Sequence, residues 1–487
     1  MFLGIDVGTS SIKVCVLDAD TGKHLWVSQS PDSELPILSI HPGFAEQDPN
    51  TWWEHTCKAI LQIPSELRGQ VEAIGIGYQM HGLVLVDAQG DPLRNAIIWC
   101  DSRAAIYGEQ AFNADPDYCL THLLNSPGNF TAAKLAWVAE HEPENLRMAK
   151  YAVLPGDFIA LKLTGEAFTT NSGLSEMALW DFVNRSRADR LLDIFQLRKD
   201  IFPKAVPTCS DQGQVLPEIA GGLGLPSAAR VTFRAGDQPT NALALGVLNP
   251  GEVAATAGTS GVLYSVTDQP AVDPDQRVNT FLHVNRSTEE ALYGVLCCVN
   301  GCGSLMNWLR NRLLQTNQSY TDLNSTASQA PVGSEGLLIH PFGNGAERIL
   351  GNRNPGASIT CLDFTRHTRA HFLRAAQEGI AFALYYGVEN LPTATTIRAS
   401  KANLFLSPLF AQTVADITGA TVEILDTQGV FGAAWGAAMG ALQVERPSLS
   451  DRVHVYAPAE TRDALQEAYQ HWRKPLLSSP SIEASRA

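Results

Sequence analysis

The residues best suited to chemistry lie in two short loops of one pattern. Asp6-Val7-Gly8-Thr9-Ser10 stands near the start of the 487-residue chain, and Thr256-Ala257-Gly258-Thr259-Ser260 stands just past its middle. In such a tip the glycine lets the backbone approach an oxyanion, while successive N–H groups and Thr or Ser hydroxyls supply donors. Two tips facing each other can grip a polyphosphate from both sides. Only the first carries an acid, Asp6, where the second has Thr256. One carboxylate can hold a hydrated Mg²⁺ against phosphates, whereas a second would add repulsion. A lone Gly-Thr-Ser is more often a solvated turn than a phosphate site. Two copies in matching context point instead to a phosphate-binding cleft between two similar domains.

Three further clusters carry groups of use to a small polar ligand. Tyr78-Gln79-Met80-His81-Gly82 closes an apolar run, at the strand end where open α/β sheets gather ligand contacts. Trp99-Cys100-Asp101-Ser102-Arg103 joins an apolar platform to an acid and a cation, which suits a polyhydroxylated molecule; its plainer reading is a helix start capped by Asp101. Arg234-Ala235-Gly236-Asp237-Gln238 ends a third run with a carboxylate and an amide at a helix N-terminus, where Asp237 could equally be only a cap.

These residues need strands and helices to hold them. Apolar runs at 2–7 and 12–17 flank the first tip and runs at 252–257 and 262–267 flank the second, so both read as β-hairpins. The first half alternates β-like runs (73–78, 83–86, 96–99) with helical stretches (51–63, 131–141), which is α/β organisation. A Pro- and Gly-rich segment at 203–225 precedes a strand at 229–234, and a boundary falls near Asn249-Pro250-Gly251, giving domains of 1–248 and 249–487. The second half repeats the plan: hairpin, helix 303–314, Gly-rich loop 341–345 and long helix 370–389. The small-residue run 431–440 then reads as a helix packed against backbone, and the tail beyond Pro480 as frayed.

Composition narrows the function. With 45% hydrophobic and 17% charged residues the chain reads as globular, and a net charge of −15 makes nucleic acid or an anionic membrane a poor partner. Nine cysteines without Cys-x-x-Cys spacing read as reduced cytoplasmic thiols, with the adjacent Cys297 and Cys298 buried in a strand. No run approaches membrane-spanning length and the first residues carry no basic leader.

Taken in order, the motifs resemble the FGGY carbohydrate kinases, within the actin-like, ribonuclease-H-like ATPase superfamily. The likeness spans nearly the whole chain: residues 4–10, His41-Pro42-Gly43-Phe44-Ala45-Glu46-Gln47-Asp48-Pro49 with Trp52 and Trp53, Gln79-Met80-His81-Gly82, Thr131-Ala132-Ala133-Lys134-Leu135-Ala136-Trp137, Gly236-Asp237-Gln238, Gly258-Thr259-Ser260 and Arg374-Ala375-Ala376-Gln377-Glu378-Gly379. The resemblance implies an α/β fold of two similar actin-like ATPase domains with an interdomain cleft that closes over sugar and ATP. Met80-His81-Gly82 and the cluster from Trp99 to Arg103 resemble the ketopentose kinases that act on D-xylulose, whereas glycerol kinases carry an Arg-Glu pair at Met80 and His81.

Carried over, the resemblance implies Asp237 as general base for the sugar's terminal hydroxyl and Asp6 as the Mg²⁺ residue, acting through water. Thr9, Ser10, Lys13, Gly258 and Thr259 would meet the triphosphate, with Gly303, Asn307 and Asn403 on the nucleotide side. Met80, His81, Trp99, Asp101, Arg103 and Gln238 would line the sugar pocket. Two departures stand out. Lys401-Ala402-Asn403-Leu404-Phe405-Leu406-Ser407-Pro408 replaces the relatives' Gly-Gly loop beside adenosine, ahead of a helix at 410–419, and Asn129 stands where a small or aromatic residue is usual. Another ketose or polyol (ribulose, fuculose, a glycerol-like substrate) remains open, as does a catalytically impaired sugar sensor or a chaperone-like or cytoskeletal ATPase. Oligomeric state is open too, with a homodimer the default assembly.

Overall fold

The apolar runs on either side of each Gly-Thr-Ser tip pair as antiparallel hairpins. Phe2–Val7 pairs with Ile12–Asp18, from Phe2↔Leu17 to Val7↔Ile12. Glu252–Ala257 pairs with Gly261–Thr267, from Val253↔Ser265 to Ala257↔Gly261. These are features of a computed structural model that describes residues 1–273, 275–284, 292–443 and 452–477. The tail beyond Pro480 lies outside the described residues.

Each hairpin seeds a sheet of one plan. In the first, the strand order is Arg230–Gly236, Ala73–Tyr78, Phe2–Val7, Ile12–Asp18, Lys23–Ser30, the first three parallel and the last two antiparallel additions. In the second, Thr421–Leu425, Thr396–Ser400, Glu252–Ala257, Gly261–Thr267 and Tyr293–Val299 repeat that order and those directions. Arg452–Tyr456 and Asn279–Leu282 extend the second sheet at its two edges. The duplicated plan is that of an actin-like ATPase.

Helix Gly429–Leu442 is buried from Val430 to Gly440, as a helix apolar on every face must be. It follows the last parallel strand of the second sheet, yet it packs on the first. Its Val430, Phe431, Ala434 and Trp435 share a core with Phe2, Cys15, Ala73 and Phe233. Glycines on both sides allow this closeness: a Cβ on Gly75 would stand 1.9 Å from the Ala433 carbonyl oxygen, and one on Gly432 would stand 1.9 Å from that of Thr240. Thr240 belongs to helix Asp237–Ala244, which follows the last strand of the first sheet. Ala242 and, just beyond the helix, Leu245 and Val247 pack with Ala254, Tyr264, Val266 and Leu425 of the second sheet. The helix that follows the last parallel strand of each lobe therefore helps to cover the other lobe's sheet.

Other elements depart in detail from the sequence reading. The stretch expected as one helix over 303–314 is α-helical for Gly303–Trp308 and continues as a π-turn, Leu309–Leu313. The segment 203–225 is more ordered than a loop with a helix start, holding strand Lys204–Val206 against Phe168–Thr170 and helix Pro217–Leu223. Cys297 is fully buried in its strand and Cys298 half-buried, and all nine cysteines are free thiols. Among the described residues no helix is long and apolar enough to cross a membrane.

Candidate active site

Parallel pairing brings three strand ends together. Tyr78 lies in register with Val7 on one side and Gly236 on the other. The residues next to these positions, Asp6, Met80, His81 and Asp237, thus meet at one edge of the first sheet. Burial is the main reason that Asp237 is raised to about 7, and the negative charge of nearby Asp6 adds to it. Burial raises Asp6 as well, opposed by Lys13, its hairpin partner. Gln238 Nε2 donates to Asp237 Oδ2 at 3.3 Å, which orients the carboxylate.

His81 sits in the left-handed region at φ +60°, which aims its side chain off the strand direction. Two neighbours hold it there. Its Nδ1 lies 2.8 Å from the Glu176 carbonyl oxygen, which can only accept, so Nδ1 carries the proton and Nε2 is left as an acceptor. The buried Lys134 Nζ donates to the His81 carbonyl oxygen at 2.7 Å. Burial, with Lys134 and Arg348 adding repulsion, pushes the imidazole down to about 3, so it is neutral at physiological pH. Lys134→Met removes the backbone anchor, and we expect sugar KM to rise about tenfold with ATP KM unchanged, read by steady-state kinetics.

The expected wall residues divide. Trp99 is 44% exposed and its indole N–H donates to Thr9 Oγ1 at 3.0 Å, so it offers a platform to the cleft. Asp101 and Arg103 do not. Asp101 is fully buried, with its carboxylate accepting from the Ala45 N–H at 2.6 Å, from the Arg103 N–H at 2.9 Å and from the Arg103 guanidinium. Arg103 also pairs with Glu46 at 2.8 Å and lies 3.6 Å over the Phe44 ring. The pair braces the wall from behind, with its charges turned to each other and to Glu46. Nor does Asp101 cap the next helix, whose N-cap is Ala104. Thr9 differs as well: its hydroxyl accepts from Trp99 and donates to Gln79 at 3.3 Å, leaving it no free proton for a phosphate. Ser10 is exposed, and Met80 packs under the site, close to Gly236.

The second tip opens on the same cleft. Cys298, beside it in strand Tyr293–Val299, faces the Ser260 hydroxyl and feels the charge of Asp237. Gly303 N–H donates to the Gly258 carbonyl at 2.8 Å, and a Cβ on Gly303 would stand 2.4 Å from that oxygen, so only glycine fits. The Ser304 N–H reaches the Thr259 carbonyl at 3.3 Å. Asn403, left-handed at φ +53°, brings its amide nitrogen within 3.5 Å of a Cβ placed on Gly258. Ala402 beside it keeps a negative φ of −150°. Asn307 is exposed one turn along from Gly303, and its Oδ1 accepts from Asn311 at 2.5 Å.

Several residues at the site were not anticipated. Glu176 is buried, and that burial, with the charges of Asp157 and Asp237, pushes its carboxyl well above the usual carboxylate range against the opposing pull of Tyr78 and Lys134. Phe130 and Phe281 pack against the His81 ring at 4.5 and 5.4 Å. Phe281 lies in the edge strand Asn279–Leu282 of the second sheet, which is stitched to the first lobe. Asn125 Nδ2 donates to the Thr280 carbonyl at 2.6 Å, its Oδ1 accepts the Thr280 N–H at 2.9 Å, and Ser175 Oγ accepts the Leu282 N–H at 2.9 Å. The chance of finding these from sequence was slight, since an Asn or Ser that caps a sheet edge has no spacing of its own.

An acid at the mouth of paired glycine tips, set between two lobes of one duplicated plan, defines a sugar kinase of the actin-like ATPase class. Residues 1–244 match the FGGY family of carbohydrate kinases, N-terminal domain, and residues 253–443 match the C-terminal domain of that family. The chain belongs to the FGGY family and is a carbohydrate kinase, a family that uses ATP. It is 33% identical over 398 residues to a xylulose kinase of Staphylococcus epidermidis, covering 80% of this chain and 76% of that protein. It is 31% identical over 460 residues to a xylulose kinase of Escherichia coli, covering 92% and 91%. The crystal structure of a ligand-bound xylulose kinase from Lactobacillus acidophilus superposes with a TM-score of 0.89 at 23% identity, over 98% of each chain.

Proposed function

We propose that the enzyme transfers the γ-phosphoryl group of ATP to the terminal hydroxyl of D-xylulose, giving D-xylulose 5-phosphate, in the cytoplasm. The observation that carries this reading is Asp237, a carboxylate raised to about 7 at the meeting of the strand ends and beside neutral His81. The named relatives support the choice of sugar. A coupled ADP-release assay over a panel of ketoses and polyols tests it; no turnover of D-xylulose beside turnover of ribulose or a polyol would overturn the substrate.

In this reading Asp237 accepts a hydrogen bond from the attacking hydroxyl and takes its proton as the bond to phosphorus forms. Gln238 holds the carboxylate in line. His81 Nε2 accepts from a second sugar hydroxyl, and Trp99 provides the apolar face. Backbone N–H groups of both tips, with Thr259 and Lys13, meet the phosphate oxygens, where transition-state charge develops. Asp6 fits a water-mediated Mg²⁺ site, because that ion is held by one or two carboxylates together with substrate phosphates and needs no all-protein cage. When bound, Mg²⁺ neutralises phosphate charge and relieves the repulsion that Asp6 exerts on Asp237. Closure of the lobes, bending at the two crossed helices Asp237–Ala244 and Gly429–Leu442, would exclude water from the reacting phosphorus.

A pH profile follows from the acid's position. Only ionised Asp237 can accept the proton, so kcat/KM rises with pH and levels off above about 7, falling about tenfold per unit below it. A flat profile from pH 5.5 to 8 would remove Asp237 from the base role.

A further inference from the structure

We propose that Arg348 is a sugar-binding residue, delivered from the second lobe to the end of the pocket far from Asp237, where its guanidinium donates to the carbonyl and 1-hydroxyl oxygens of the ketose. This inference rests on the reading of the protein as a ketose kinase. Arg348 opens the 3-10 turn Arg348–Leu350, and the next two residues, Ile349 and Leu350, are anchored in the second lobe's core. Its side chain crosses to the first lobe. Nη1 lies 3.5 Å from where a Cβ on Gly128 would stand, in the loop that leads to helix Thr131–His141, and its charge reaches His81.

The Arg348 guanidinium is incompletely satisfied. Nε and Nη2 are buried and have no hydrogen-bond partner in the protein. A buried donor without a partner is costly, and such groups persist where a ligand supplies the acceptor. The charge that acts on Arg348 is that of Asp273. That carboxylate is already held by Arg277, whose Nε and Nη2 donate to it at 2.8 and 3.1 Å. Next to Gly128, Asn129 Nδ2 donates to the Asp101 carbonyl while its Oδ1 is buried without a donor. Orphan donors and an orphan acceptor thus flank the same loop. A hydroxyl beside a carbonyl matches them, since the carbonyl and hydroxyl oxygens accept from Arg348 and the hydroxyl proton is free for Asn129.

Kinetics of Arg348→Met, with D-xylulose and with 1-deoxy-D-xylulose, decide the matter. For D-xylulose we expect KM to rise about 30-fold with ATP KM within about twofold of wild type. For the deoxy analogue, which lacks one acceptor, the same substitution should cost several-fold less. Arg348→Lys should recover part of the loss, and thermal unfolding of Arg348→Met at the wild-type temperature guards against a folding defect in that variant. A D-xylulose KM within about twofold of wild type, or equal losses on both sugars, would overturn the role of Arg348. If wild type instead turns over another sugar, the substrate reading fails, and the KM of that sugar in Arg348→Met decides the role of Arg348 separately.

Discussion

Asp237→Asn lowers kcat by about 10³-fold or more and leaves ATP binding intact. Asparagine keeps the shape and one acceptor oxygen but cannot take a proton, so the hydroxyl is oriented and not activated. Titration of the variant with ATP separates this from a collapsed site; turnover within tenfold of wild type would take the acid out of the mechanism. The same substitution has an opposite effect on stability. Asp237 is raised from 3.8 to about 7 in the folded protein, so folding binds its proton more tightly than the unfolded chain does. Stability tied to that proton is present below the ordinary carboxylate range and is lost as pH rises toward and through about 7. Above pH 7 wild type folds with two repelling carboxylates, Asp6 and Asp237, and Asp237→Asn should be more stable by on the order of 2 kcal/mol, read as a higher unfolding temperature.

Gly75→Ala should destabilise the protein by about 3 kcal/mol or more, with loss of soluble protein as the cellular outcome. The added methyl would stand 1.9 Å from the Ala433 carbonyl oxygen and 3.0 Å from the Ala437 nitrogen, both helix backbone that cannot rotate aside. Helix Gly429–Leu442 cannot retreat as a body, because its other side is closed by Thr240, 1.9 Å from a Cβ on Gly432. The control is Gly221→Ala in helix Pro217–Leu223, where an added Cβ meets nothing within 4 Å. That change should stabilise by about 0.5–1 kcal/mol through a less flexible unfolded chain. Chemical denaturation of both variants checks the pair; equal midpoints would mean that the helix and sheet are less closely seated than described.

The sequence disclosed what local pattern governs. Both hairpins follow from alternating apolar runs around a Gly-Thr-Ser turn, and helix Thr131–His141 has the bounds expected from its sequence. Register then aligns Val7, Tyr78 and Gly236, so motifs distant in sequence meet at one sheet edge. What was hidden depends on partners. The small-residue run 431–440 reveals that a helix is buried, and an all-round apolar surface does not say against which sheet. Asp101 and Arg103 have the chemistry of sugar ligands, but the same two charges two residues apart can satisfy each other, and the buried salt bridge forms instead. Arg348 lies in no periodic pattern, and its reach across the cleft exists only once both lobes are folded. Asn129 finds in the structure one partner and one unused oxygen.

The exchange of helices Asp237–Ala244 and Gly429–Leu442 makes the halves of this chain interdependent. Severing it between residues 248 and 249 would not release two self-sufficient units. The amino-terminal fragment would leave bare the surface of its sheet that Val430, Ala434 and Trp435 now shield, and the carboxyl-terminal fragment would carry that greasy helix with nowhere to bury it. The two pieces should stay soluble only when made side by side, reassembling through their crossed helices.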